Sequence, residues 1–301
     1  MIPRVTQQSV QRQTLANLQG NLTAMSTLQA QMSSGKKISV PSDDPAGASD
    51  LLRLRTEQRT IAQHTRNAAD GGSWLTTVDT AMQSSLEALR RARDLTVQGG
   101  DGALGQTSRD ALATEIEGVR ASLLDQANAT YVGRSVFAGT SNAGVAFNQT
   151  TVAGVETYSF TGIPGAAPVV RQVGTAANVR VDADGVSVLG DGASSVFALL
   201  DQVAATLRSG GDATTHLDAI DSRMEAMLTE VASVGARHDQ VLTATDALAN
   251  KDLDVKAQLS GVEDIDLPKI IMELQMQDVA YQGALGAASK VLQPTLLDFL
   301  R

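Results

Sequence analysis

The amino-acid sequence predicts a mainly α protein: a long-helix coiled-coil bundle built from both chain ends, with a small β domain inserted into it. Three observations carry that prediction. Both ends of the 301-residue chain are apolar at helical spacing, yet each stripe is too narrow to form a domain alone. Two long internal stretches repeat apolar residues every seven positions, as helices packed side by side require. Between about Gly139 and Gly192, Gly, Pro, Thr and Val replace Leu, Arg and Gln, so the helical character stops there.

Leu15, Leu18, Leu22, Met25 and Met32 form the first stripe, interrupted by Gln29. Residues 35–44 then break the helix, and Asp44 followed by Pro45 reads as a capped start with proline at the first helical position. From there Leu54, Ile61, Ala68, Leu75, Met82 and Leu89 are spaced by seven, which predicts one long helix to about Gln98, or two nearly collinear helices meeting at Gly71-Gly72. The glycine-rich loop Gly99–Gly105 reverses the chain. A further helix is expected from Ser108 to Thr130, with Leu112, Ile116, Val119, Leu123 and Ala127 on one face.

Short β-prone runs follow at Glu156–Phe160, Val169–Val173, Asn178–Val181 and Val186–Leu189, the last two joined by a turn at Asp182–Gly185. A helix near Ser194–Arg208 leads to the loop Ser209–Gly211. The most regular element comes next: Leu217, Ile220, Met224, Met227, Val231, Val234, His238, Val241, Thr245, Leu248, Asp252, Val255, Leu259 and Val262 keep a three-and-four spacing. The register breaks around Gly261–Pro268. The closing stripe is Leu267, Ile271, Leu274, Tyr281, Leu285, Ala288, Leu292, Leu296 and Phe299, interrupted by Asp278. The division expected is a terminal coiled-coil domain of residues 1–40 with 262–301, a helical bundle of 41–139 with 193–261, and a β insertion of 140–192. The assembly-surface residues expected are Leu15, Leu18, Leu22, Met25, Met32, Leu267, Ile271, Leu274, Tyr281, Leu285, Leu292, Leu296 and Phe299.

Composition narrows the function. Aromatic residues are 3% of the chain, so the core is built from Leu, Val, Ile, Met and Ala in thin layers. The net charge of −9 repels phosphate backbones, and the one local basic pair, Lys36-Lys37, is too small to offset it, so no nucleic-acid partner is expected. There is no cysteine, which excludes disulfides and thiolate metal sites and suits a chain exported unfolded. The first residues lack the apolar run of a cleavable signal peptide, and no window reaches the length that spans a bilayer, so no membrane partner is expected.

Catalytic and metal-binding patterns find no support. His64, His216 and His238 have no second His or Cys at ligand spacing, and His-Glu-x-x-His is missing. Asp182–Gly185 begins like a calcium loop but lacks the later oxygen ligands. Gly99–Gly105 follows a helix rather than a strand and carries no Gly-Lys-Ser/Thr, which argues against a phosphate cradle. No cofactor is expected, and no enzyme. Arg53, Arg55, Arg59, Arg66, Arg90, Arg91 and Arg93 form a basic row that reads as a solvated face with pairs on its own helix, to Glu57, Glu87 and Asp94, or as a subunit contact.

Several landmarks resemble the bacterial flagellins: Ser33-Ser34-Gly35-Lys36-Lys37-Ile38, then Asp43-Asp44-Pro45-Ala46-Gly47, and Arg66-Asn67-Ala68-Ala69-Asp70-Gly71. Leu89–Gln98 is similar to the family's basic helix end, and Gly235-Ala236-Arg237 with the closing helix to its C-terminal region. The resemblance covers roughly residues 1–140 and 195–301. The chain departs from filament subunits, which usually carry Phe-Asn-Gly after the third helix, whereas here Tyr131 is followed by Val136-Phe137-Ala138-Gly139-Thr140. Its ending, Ser289–Leu300, resembles the hook-associated junction members of the family. What the resemblance implies is a structural adaptor of the flagellum, arranged as a ring of copies of itself between the other junction protein and flagellin. It also implies passage through the flagellar type III export channel with an export chaperone, and an extracellular location. A minor filament flagellin is the alternative, and an adhesive or receptor-binding insertion is an alternative of another class.

Overall fold

The computed structural model describes residues 7–152, 155–163 and 167–291. Helices α1 (Gln7–Ser34), α2 (Pro45–Gly99) and α3 (Gln106–Ala127) come first, and α5 (Val196–Arg208), α6 (Leu217–Glu263) and α7 (Leu267–Val291) last. Between them lie three antiparallel strand pairs and a one-turn helix, α4 (Gly185–Leu189). The pairs are β1 (Thr130–Tyr131) with β2 (Arg134–Ser135), β3 (Phe147–Val152) with β4 (Val155–Phe160), and β5 (Val170–Gln172) with β6 (Asn178–Arg180). No helix among the described residues is long and apolar enough to cross a membrane.

The chain divides into two compact units, one drawn from Met1–Thr60 and Asp252–Arg301 and the other from Ile61–Lys251. In the second, the every-seventh pattern is the core. Ile61, Ala68, Leu75, Met82 and Leu89 on α2 are buried, as are Ile220, Met227, Val234 and Val241 on α6. Helix α2 runs unbroken through Gly71-Gly72. Gly71 is small because β5 and the residue after β6 come close: a Cβ there would lie 3.2 Å from the Val181 side chain and 3.5 Å from Arg171. The strand pairs share this core, with Phe137, Phe147, Tyr158 and Val181 clustered against Trp74, Leu123 and Phe197.

Val186–Leu189, expected as a strand, is instead α4. The Asp184 carboxylate accepts a hydrogen bond from Val186 N–H at 3.1 Å, so the residue expected to make a hairpin turn caps a helix. Asp182, beside it, is buried: it accepts Arg180 Nε at 2.9 Å and Nη2 at 3.1 Å and the Val169 amide at 2.9 Å. Strands β1, β2 and β3 were not foreseen. Asn128 positions β3 at the end of α3, its Oδ1 accepting the Ala146 and Phe147 amides at 2.8 Å and its Nδ2 donating to the Phe147 carbonyl at 3.0 Å.

The basic row on α2 partly reaches other helices. Arg93 Nε donates to Asp221 of α6 at 2.6 Å and Arg91 pairs with Glu115 of α3, which corrects the expectation of pairs confined to one helix. Arg53, 3.8 Å from Asp50, Arg59 on Thr56 and Arg66 on Gln63 keep the local pattern. His64 is buried with Nδ1 3.3 Å from the Gln172 carbonyl, and His216 Nε2 lies 3.1 Å from the Thr206 hydroxyl, so both rings serve packing.

Candidate assembly surface

Within the terminal unit, the breaks at 35–44 and 264–266 are joined to each other. The Lys37 amide donates to the Glu263 carbonyl at 2.7 Å and the Ile265 amide to the Gly35 carbonyl at 3.2 Å. Gly35 has a φ of +71°, a left-handed bend that ends α1. Glu263 is buried, and its Oε1 accepts Arg55 Nη2 at 2.7 Å and pairs with the Lys36 ammonium. Two cations on one carboxylate offset its desolvation. Asp44 Oδ1 caps α2 by accepting the Gly47 amide at 3.0 Å, and Asp266 Oδ1 accepts the Lys269 amide at 3.2 Å where α7 begins.

From this junction α1 and α7 run antiparallel and pack against each other. The residues turned toward the seam keep three-and-four spacing: Thr14, Leu18, Asn21, Met25, Leu28 and Gln31 on α1, and Ile270, Leu274, Gln277, Tyr281, Ala284 and Ala288 on α7. Midway, Gln277 Nε2 donates to both the carbonyl and the side-chain oxygen of Asn21, each at 3.3 Å. An amide pair inside a helical seam fixes register at a cost in stability. The seam is therefore narrow and partly polar.

Many large apolar side chains point away from the seam. Leu15, Leu22 and Met32 on α1 are exposed, as are Leu267, Ile271 and Leu285 on α7. A second outward row, Met272, Met276 and Val279, is more open still, at 60%, 67% and 69% exposure. With Ala280 and the neighbouring Lys269, Glu273 and Gln275 it forms an open apolar patch on one face of α7. Of the expected surface residues, Leu18, Met25, Leu274 and Tyr281 thus fall on the seam, and Leu15, Leu22, Met32, Leu267, Ile271 and Leu285 fall outside it. Leu292, Leu296 and Phe299 lie outside the described residues. The reading of the stripes missed Asn21 and Gln277, which interrupt nothing that counting apolar positions would flag. It also missed Met272, Met276 and Val279, although their spacing repeats the same pattern one position along.

Exposed apolar rows of this extent mark contact surfaces. No group of three or more His, Cys, Asp or Glu side chains placed to hold a metal ion occurs among the described residues.

Residues 5–142 match the bacterial flagellin N-terminal helical region. Along nearly its whole length the chain is similar to flagellar hook-associated protein 3 of Salmonella typhimurium, 25% identical over 93% of this chain and 94% of that one. The same protein of Escherichia coli is 26% identical over 85% and 87%. A structure from Vibrio parahaemolyticus assigned to the flagellar hook-associated proteins superposes with a TM-score of 0.67 at 25% identity, covering 74% of this chain and all of that one. The chain is thus similar to bacterial flagellins in its N-terminal helical region and, at about a quarter identity, to flagellar hook-associated protein 3 along most of its length.

Proposed function

We propose that this chain, flagellin-like at its N-terminal half and hook-associated in its full-length likeness, is the adaptor that joins the flagellar hook to the filament. The observation that carries the reading is the terminal pair, whose narrow, partly polar seam leaves Leu15, Leu22, Leu267, Ile271 and Leu285 and the row Met272, Met276 and Val279 exposed. Such rows gain burial only when other chains cover them, at roughly 25 cal/mol for each Å² removed from water. The partners proposed are copies of itself in a ring, the other junction protein on the hook side and flagellin on the distal side. An export chaperone would cover the same rows before assembly, and the route proposed is the flagellar type III channel to the cell exterior. Its work is contact, not catalysis. The division proposed keeps residues 1–40 with 262–301 for the terminal layer, 41–139 with 193–261 for the bundle and 140–192 for the insertion.

The test is a Leu285→Asp variant expressed in place of the native chain. The expected result is export of the variant, hooks without filaments and flagellin released to the medium. Cells that swim normally with this variant overturn the reading. The match to the flagellin N-terminal region also supports a minor filament flagellin. Immunogold labelling separates the two, since a junction adaptor is seen once per flagellum and a filament subunit along its length.

A further inference from the structure

The turn between β1 and β2 is held in a conformation its first residue does not favour. Val132 has a φ of +50° and Gly133 of +75°, so both central residues occupy the left-handed region. That geometry suits Asn-Gly, and a β-branched residue there is an outlier. Burial gives nothing back, because Val132 is 82% exposed. The flanks hold the turn rigidly: the Tyr131 ring packs on Trp74 at 5.4 Å, its hydroxyl donates to Asp70 at 3.2 Å, and the Arg134 guanidinium lies over Trp74 at 5.7 Å. An isopropyl group is thus presented to solvent on a stiff hairpin, against local preference, and strain of this kind points to a role in contact.

The same unit holds a groove that such a group fits. It measures 420 Å³, lies between β4 and α5, and is lined by Val155, Thr157, Ala193, Ala198 and Ala205. Small side chains on α5 leave it empty. Charge complements shape. No described carboxylate pairs with Arg134, and its Nε is buried without a partner. At the groove edge the Glu156 carboxylate accepts hydrogen bonds from Gln149 and Thr151, each at 2.9 Å, and no described cation forms an ion pair with it. The hydrogen bond from Gln149, followed by that from Thr151, holds the Glu156 carboxyl below its ordinary range, so it is charged at neutral pH.

We propose that Val132 of one copy seats in the Val155–Ala198–Ala205 groove of the next copy, with Arg134 directed to Glu156. A knob and a groove on different parts of one chain make a heterologous contact, which closes as a ring or continues as a helix. The proposal deepens the adaptor reading and rests on it, by naming one contact between neighbouring copies.

The chain has no cysteine, so introduced thiols report cleanly. Val132→Cys and Ala205→Cys are placed in separate, differently tagged full-length chains, co-expressed in motile cells, and mildly oxidised. The expected product is a disulfide-linked heterodimer several-fold more abundant than either homodimer. Flagella with filaments attached and no heterodimer above the homodimers overturn the contact while leaving the adaptor reading intact. A heterodimer recovered from subunits distributed along the filament supports the contact and overturns the adaptor reading instead. As a second measurement, Val132→Asn should raise the melting midpoint of the isolated chain by about 2 °C, since strain is relieved, and should lower filament attachment several-fold. A raised midpoint with attachment unchanged also overturns the proposal.

Discussion

The bundle unit and the terminal unit are built from the same kind of long helix, yet the terminal one leaves far more of its apolar residues uncovered. On α2 and α6 the every-seventh residues, from Ile61 to Leu89 and from Ile220 to Val241, are buried. On α1 and α7 the seam mixes Asn21 and Gln277 with Leu18, Met25, Ile270 and Leu274, while Leu15, Leu22, Ile271, Met276 and Val279 are exposed. A periodic stripe therefore does not by itself say core. What separates the two cases is whether the residues beside the stripe are polar or apolar: a helix with apolar residues on more than one row has a second surface to cover.

The largest effect should come from breaking the bundle. Met227→Asp places an unpaired charge where the side chain is fully buried, a cost of several kcal/mol against a typical total of about 5–15, and should unfold the isolated chain at ambient temperature. Leu75→Ala, at an equally buried position, should cost about 2–5 kcal/mol in denaturant unfolding. A Met227→Asp chain with native near-ultraviolet dichroism would show that the bundle is not where stability resides.

Next in size is the junction of the terminal unit. Glu263→Gln removes the charge shared by Lys36 and Arg55 and should cost about 1–3 kcal/mol locally. The readout is amide exchange at Lys37 and Ile265, expected to quicken while the amides of α3 and α5 are unchanged. Equal acceleration in both places would mean the effect is global. The seam itself is sharpened by replacing Asn21 and Gln277 together with Leu. The expected outcome is slower exchange in α1, by the few-fold that about 1 kcal/mol implies, because a register device has been traded for apolar contact.

The smallest effect concerns pH. A hydrogen bond from Arg208 holds the Glu117 carboxyl below its ordinary range, with the guanidinium charge adding to it. A lowered folded value means that the pair's contribution is present above the unfolded glutamate value of about 4.3 and is lost as pH falls through the folded value. Because both side chains are partly exposed, the contribution should be under about 1 kcal/mol. Glu117→Gln should remove that part of the acid sensitivity in melting curves taken from pH 6 down to pH 3, and a steeper decline in the variant would contradict the sign.

Much of the helical frame was legible because burial and period coincide in it. Leu54 through Leu89 named the buried face of α2, and Asp44-Pro45 named its start. What was less legible depended on contacts distant in sequence. Val186–Leu189 has strand composition but follows Asp184, whose capping hydrogen bond decides the local structure. Strand β3 is polar between Phe147 and Val152 and depends on Asn128, nineteen residues before Phe147. At the surface, counting placed the correct helices but selected one stripe where two exist. Leu18 and Met25 face the seam, and Leu15 and Leu22 flank it, a distinction that only the position of the partner helix makes.

The central claim is that the outer row of α7 is a surface for other chains and adds nothing to the stability of its own. Met276→Asp, at the middle of the exposed row Met272–Met276–Val279, tests it in one protein with two readouts. The melting midpoint of the isolated chain should stay within about 1 °C of the parent, because a charge at a solvent-exposed helix position changes stability by only about 0.5 kcal/mol. In cells the same variant should leave hooks without filaments. A midpoint that falls toward that of Met227→Asp, or filaments attached at the normal frequency, would contradict the claim.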